Sequence, residues 1–180
     1  SMPTAGPEGI EVRDSTCRDL AAIEQLYHAA FPEEDLLPVV TELLSGQADV
    51  LSLIAMDDGL LVGNVIFTFC TVPEHNVRAA LLAPLAVSPD NHKQGIGGHL
   101  VHNGLACLRD DGVACAFVLG DPTYYGRFGF QPEHLVAPPY PMPGSWQDAW
   151  QGLSLSSQPT QHIGSLCLPE MWLKRKLWSA

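Results

Sequence analysis

The sequence predicts a single α/β domain, a mixed β-sheet with helices on its faces. Three observations lead there. The chain's 180 residues are one domain's worth. Apolar β-rich runs are interleaved with segments of helical period, in the order β-α-α-β-β-β-α-β-α-β-β. At 46% hydrophobic the chain can bury a sizeable core, which excludes a disordered tail or a disulfide-stapled miniature.

Residues 1–9 read as a disordered tail, with Ser1-Met2 a cloning scar and Met2 the native start. Ile10–Arg13 suits a short strand. Leu20, Ile23, Leu26, Tyr27 and Ala30 recur at helical spacing, and Pro32 forces a stop. A second helix is expected over Leu37–Leu44, ended by Gly46. Val50–Met56 and Leu60–Cys70 are β-rich runs joined through Asp57-Asp58-Gly59, a hairpin turn sequence. Arg78–Ser88 is a further strand, and Pro84 within it points to a bulge or an unpaired edge. Ile96, Leu100, Leu105 and Leu108 share one face of a helix over Gly95–Asp111, closed by Gly112. Val113–Leu119 reads as a short buried strand and Tyr124–Phe128 as a helical turn. After the Pro-rich connection Pro138–Pro143, two last strands are expected at Trp146–Leu155 and Ile163–Leu168.

Charge narrows the function classes. Nine Lys+Arg stand against twenty Asp+Glu, a net charge of −11. Three of the nine, Lys174, Arg175 and Lys176, sit at the very end, so the body is more acidic still. A nucleic-acid binder needs a basic footprint, and none exists here. An acidic body fits small cationic partners better. No apolar run reaches the roughly 18 residues that span a bilayer, and no signal-peptide pattern opens the chain. Cys17, Cys70, Cys107, Cys115 and Cys167 are odd in number and contain no C-x-x-C. They read as reduced thiols of a cytoplasmic protein, mostly packed as small apolar residues.

One compact constellation carries chemistry: the run from Leu85 to Gly98, L-A-V-S-P-D-N-H-K-Q-G-I-G-G. A strand enters a loop, and a helix starts at once on a glycine cluster. Glycines let a ligand approach backbone N–H groups at the helix start, where the helix dipole favours a phosphate or pyrophosphate. A P-loop would need Gly-Lys-Ser/Thr, which is absent; the dinucleotide fingerprint would need a third glycine where Leu100 stands.

This segment resembles the GNAT superfamily of acetyl-CoA-dependent N-acetyltransferases, whose pattern runs Leu-x-Val-x-Pro and then Gln/Arg-x-x-Gly-x-Gly/Ala. Leu85, Val87, Pro89, Gly95 and Gly97 match; His92 stands where Gln or Arg is usual. Downstream, Tyr124-Tyr125-Gly126-Arg127-Phe128-Gly129-Phe130 matches the family's aromatic-Tyr-x-x-x-Gly-Phe. Gly120-Asp121-Pro122 and Tyr140-Pro141-Met142-Pro143 look most like its YhbS-like bacterial branch. The resemblance implies one N-acetyltransferase domain over 10–180, with 10–136 the core and 137–180 C-terminal strands and loops. It implies a mostly antiparallel sheet with a splay between two central strands, Leu85–Val87 and Val113–Leu119.

It also implies roles. Leu85, Ala86 and Val87 would pair with the pantetheine arm of acetyl-CoA, and Lys93, Gln94, Gly95, Ile96, Gly97 and Gly98 would wrap its pyrophosphate. A primary amine would attack the thioester directly, with Tyr125 as general acid toward the departing thiolate. Glu74 or His75 are candidates for the base, with Glu33, Glu34 and Asp35 in the loop between the first two helices behind them. The acceptor is expected to be a small-molecule or peptide amine, cationic by preference. Neither nucleic acid nor membrane is expected as a partner, and a homodimer stays open. His99 and His102, at i and i+3, read as a polar helix face, so no metal is expected. The alternatives are a non-catalytic CoA-binding module and a transferase of a longer acyl group.

Overall fold

The computed structural model describes residues 7–92, 94–157 and 162–178. Residues 1–6, the larger part of the expected tail, lie outside them; Pro7–Gly9 form a turn closed by Ile10 N–H on the Pro7 carbonyl. The elements follow the predicted order: β1 (Ile10–Asp14), α1 (Leu20–Ala30), α2 (Leu37–Leu43), β2 (Val50–Asp57), β3 (Leu60–Val72), β4 (Val77–Val87), α3 (Ile96–Asp110), β5 (Cys115–Leu119) and α4 (Pro122–Tyr125). Short strands β6 (Gln131–Pro132), β7 (Val136–Ala137), β8 (Trp150–Ser154) and β9 (Gly164–Ser165) complete the chain. Seven strands hydrogen-bond in the order β1-β2-β3-β4-β5-β8-β6, and β7 pairs with β9. The β4–β5 pair is parallel, whereas β1–β2, β5–β8 and β6–β8 are antiparallel.

Two compact units share β3 and β4: Ser1–Phe67 with Ala83–Cys107, and Thr68–Leu82 with Leu108–Ala180. In the first, Thr16 and Asp19 form a capping box ahead of α1, and Arg13 holds the Asp19 carboxylate through two bonds of 2.9 and 3.0 Å. The Arg13 guanidinium keeps the Asp19 carboxyl at about 2. A depressed carboxyl stabilises the fold above its ordinary value, and that contribution disappears as pH falls toward 2. The β2–β3 turn uses Asp58 and Gly59 at φ +48° and +80°, the two positive values that a type I′ hairpin requires.

Helix α3 buries Ile96, Leu100, Val101, Leu105 and Leu108. It approaches β3 closely because Gly104 has no side chain: a Cβ there would collide with ring atoms Cε2 and Cζ of Phe67, which is fully buried. Gly104→Ala therefore sets about 1 kcal/mol of helix propensity against overpacking of about 1–3 kcal/mol. A Phe67 ring with no free side to retreat to makes the clash win. Urea unfolding is expected to show a lower midpoint at unchanged slope; an equal or higher midpoint would contradict this packing.

Three expectations are corrected. Residues Gly144–Ala149 form 3₁₀ turns, opened by Trp146 N–H on the Pro143 carbonyl, so the strand expected from Trp146 starts at Trp150. The Ile163–Leu168 strand shrinks to β9 and a lone bridge between Thr71 and Cys167, with Pro169 following. Cys17, Cys107 and Cys167 are exposed, leaving only Cys70 buried and Cys115 half-buried. Pro84 lies in the central strand β4, and the unpaired edge expected at it is the stretch of that strand without a partner in β5. It falls beyond the last β4–β5 pair, Leu81 with Phe117.

Candidate active site

In the first unit, β4 runs six residues past its last pair with β5, to Val87. Its residues Ala79 to Leu82 are buried, but Ala83, Pro84, Leu85 and Val87 are half-exposed and beyond Leu82 only Ala86 is buried. The following loop folds back: the His92 Nε2–H donates to the Val87 carbonyl at 3.1 Å. His92 thus braces the end of the motif strand where the family carries Gln or Arg. Helix α3 then begins, with the His99 N–H on the Gly95 carbonyl at 3.0 Å as its first bond. By helix geometry the N–H groups before that bond have no partner within the helix, and they carry its positive dipole end. The flanking Gln94 and Gly95 are exposed, Ile96 and Gly97 are buried, and Gly98 is half-buried. Lys93 lies outside the described residues. A cradle of bare backbone fits a pyrophosphate by charge and by lack of bulk.

Tyr125 closes α4 in the second unit. Asp121 starts that turn, accepting from the Thr123 N–H at 2.9 Å while its carbonyl accepts from the Tyr125 N–H at 3.0 Å. The Tyr125 ring stands edge-on to Tyr124 and Phe130, with centroids 5.0 and 6.0 Å apart. It also rests against Gly120, where a Cβ would come within 2.5 Å of ring atom Cε2. Its hydroxyl makes no hydrogen bond among the described residues. Burial pushes the phenol well above its ordinary value, with smaller contributions from Tyr124 and Asp121. The proton therefore stays on this oxygen throughout the neutral range. Tyr124 is held apart by Arg127, whose guanidinium lies 4.4 Å over its ring.

The candidate bases are tied down. Glu74 accepts from the Ser165 N–H at 3.2 Å, and its carboxylate sits against Gly164. His75 lies 3.0 Å from the Ile163 carbonyl, so Nε2 carries the proton and a neutral ring keeps its lone pair on Nδ1. Both side chains are exposed and brace their loop against residues 163–165. Glu33, Glu34 and Asp35 instead line, with Tyr27 and His28, an open cavity of about 270 Å³ in the first unit. Below it Tyr27 donates to Asn64 at 2.7 Å, and Asn64 donates to Ser52 at 3.1 Å and to the Leu53 carbonyl at 2.9 Å. Neither Asn64, buried in an apolar run, nor Gln151 in β8 figured among the candidates. Each is an amide at an inward strand position, which is the signal available in the sequence.

His99 bonds Asn103 on its own helix, and burial and the neighbouring His102 push its imidazole down. Among the described residues no three His, Cys, Asp or Glu side chains gather as metal ligands. No described helix is long and apolar enough to cross a membrane.

Comparison with known proteins gives the family. The acetyltransferase (GNAT) domain family matches residues 11–132. The uncharacterized N-acetyltransferase YjhQ of Escherichia coli (strain K12) is 34% identical over 84% of this chain and 86% of its own length. The uncharacterized N-acetyltransferase YhbS of that strain is 34% identical over 63% of this chain and 68% of its own. Two solved structures align over nearly whole chains at 28% identity. The E. coli GNAT family N-acetyltransferase YhbS in complex with CoA has a TM-score of 0.83 and covers 97% of this chain and 96% of that one. A GNAT family acetyltransferase from Brucella melitensis in complex with acetyl-CoA has 0.74, covering 91% and 97%. A matched domain spanning both motifs and relatives aligned from end to end lead to one conclusion: the chain is an N-acetyltransferase of the GNAT family, YhbS-like in sequence and fold.

Proposed function

We propose that this protein transfers the acetyl group of acetyl-CoA to a primary amine by direct attack in a ternary complex. The observation that carries the reading is the end of β4, a half-exposed stretch of central strand leading into a glycine-built helix start. Leu85, Ala86 and Val87 hold the pantetheine arm through their backbone, as an added strand would be held, and one N–H polarises the thioester oxygen. Gln94, Gly95, Ile96, Gly97 and Gly98 hold the pyrophosphate, with Lys93 at the same loop. Acetyl-CoA supplies the activated acyl group.

The amine nitrogen bonds to the carbonyl carbon, the C–S bond breaks, and its electron pair leaves on sulfur. Tyr125 hydrogen-bonds or protonates that sulfur. A raised pKa makes its phenol a weaker acid, yet guarantees that the proton is present to be donated. The amine's own proton leaves to water or to a base. His75 offers Nδ1 and Glu74 a carboxylate, either of which can act through one water. The carboxylates of Glu33, Glu34 and Asp35 favour a cationic acceptor, a polyamine, an aminoglycoside-like amine or a peptide amine.

CoA release from acetyl-CoA over a panel of such amines tests the proposal. Release is expected with cationic primary amines and not with their N-acetylated forms. Tight binding of acetyl-CoA with no release on any amine would support a non-catalytic CoA-binding module instead. Faster release from succinyl- or longer acyl-CoA would replace acetyl as the group transferred.

A further inference from the structure

Gln151, on β8, is completely buried. Its Nε2 donates to the Gly120 carbonyl at 3.1 Å and to the Ala149 carbonyl at 3.3 Å. Two carbonyl partners fix which end of the amide is nitrogen, since an oxygen turned toward them would be repelled. The Oε1 is buried and meets no donor among the described residues. Its neighbours across the sheet explain this. Val118 and Pro132 flank Gln151 in register, neither has a polar side chain, and Pro132 has no N–H. An unpaired buried acceptor costs about 1–3 kcal/mol. An apolar side chain here would avoid that cost but leave the Gly120 carbonyl without this donor.

Gly120 is the pivot. Its N–H bonds the Ala149 carbonyl at 2.9 Å, so the Gln151 amide and the backbone just before β8 together hold its peptide groups. Its bare Cα forms the surface on which the Tyr125 ring rests, and Asp121, next in the chain, opens the turn that carries Tyr125. We infer that Gln151 is a positioning residue for Tyr125, acting through the Gly120 carbonyl that its amide holds. The inference rests on the reading of Tyr125 as the proton donor.

The test is a double-mutant cycle in the full chain: Gln151→Met, Tyr125→Phe and both together. Turnover, KM for acetyl-CoA and ionisation of the Tyr125 phenol are measured, the last from phenolate absorbance relative to Tyr125→Phe. Gln151→Met is expected to lower kcat about tenfold, since small displacements of an oriented group are costly, with KM within about twofold. The Tyr125 ionisation should move down toward the ordinary phenol range as the ring loosens. In the Tyr125→Phe background the effect on kcat should shrink to less than about twofold, as coupled sites require. Equal losses in both backgrounds, or a folded Gln151→Met with unchanged kcat and ionisation, would overturn the inference.

Full turnover by Tyr125→Phe alone would remove Tyr125 as the acid. The ionisation then decides the Gln151 contact by itself, shifted in favour and unshifted against. Should Gln151→Met fail to fold, Gln151→Glu replaces it. Its carboxyl, when protonated, has one O–H for the Gly120 carbonyl and, when ionised, none. Its kcat relative to wild type should recover as pH falls; a ratio independent of pH would overturn the inference.

Discussion

Tyr125→Phe is expected to lower kcat about a hundredfold or more, within the usual range for a lost general acid, while KM for acetyl-CoA stays within about twofold. The substitution removes one oxygen and leaves the ring on Gly120 and between Tyr124 and Phe130, so folding should be unaffected. The pH profile gives the same residue a second signature. Burial raises the phenol's pKa, so the donor form persists through and beyond the ordinary value of about 10. Wild-type kcat should therefore rise as the amine loses its proton and show no alkaline fall from tyrosine ionisation up to pH ~10. Near-unchanged kcat in Tyr125→Phe would demote the residue to packing.

Gly97→Asp is expected to abolish acetyl-CoA binding. A carboxylate about 4 Å from one pyrophosphate charge is repelled by about 4 kcal/mol at an effective dielectric of 20, more than a hundredfold in affinity. The same carboxylate interacts favourably with the start of α3, where an acidic residue stabilises a helix by about 0.3–1 kcal/mol. Charge thus works against the ligand and not against the helix. Gly97 is buried, so Gly97→Ala measures the effect of bulk alone and should lose far less affinity. Titration of folded Gly97→Asp with acetyl-CoA checks this, and wild-type affinity would mean that the α3 start does not hold the pyrophosphate.

The regular part of the fold was legible because its signals are local. Leu20 to Ala30 carries a clean helical period with a proline stop, and Asp57-Asp58-Gly59 names its own hairpin. The glycine run at Gly95–Gly98 likewise shows a strand-to-helix junction without a third dimension. The C-terminal third was less legible because its structure is made by contacts distant in sequence. Trp146 and Trp150 are equally apolar on paper, but only Trp150 is buried on the sheet, its Nε1–H on the Val136 carbonyl. Gln151 and Gly120 lie 31 residues apart, and only the β5–β8 register brings them together. The exposure of Cys17, Cys107 and Cys167 is not legible for the same reason, since burial is a property of the partner surface as much as of the side chain. Glu74 and His75 stand out in the sequence by their chemistry alone. The structure adds that both also brace their loop, which a sequence cannot show.

Thermal unfolding of the purified chain with acetyl-CoA, against NAD as a matched nucleotide control, tests the central claim most directly. At a hundredfold excess over its dissociation constant, a ligand bound only by the folded chain adds about 2.7 kcal/mol, which raises Tm by roughly 5–11 °C at about 2–4 °C per kcal/mol for a domain of this size. Acetyl-CoA is expected to produce that shift and NAD none. A shift with NAD alone would contradict the assignment of the β4–α3 junction to acetyl-CoA.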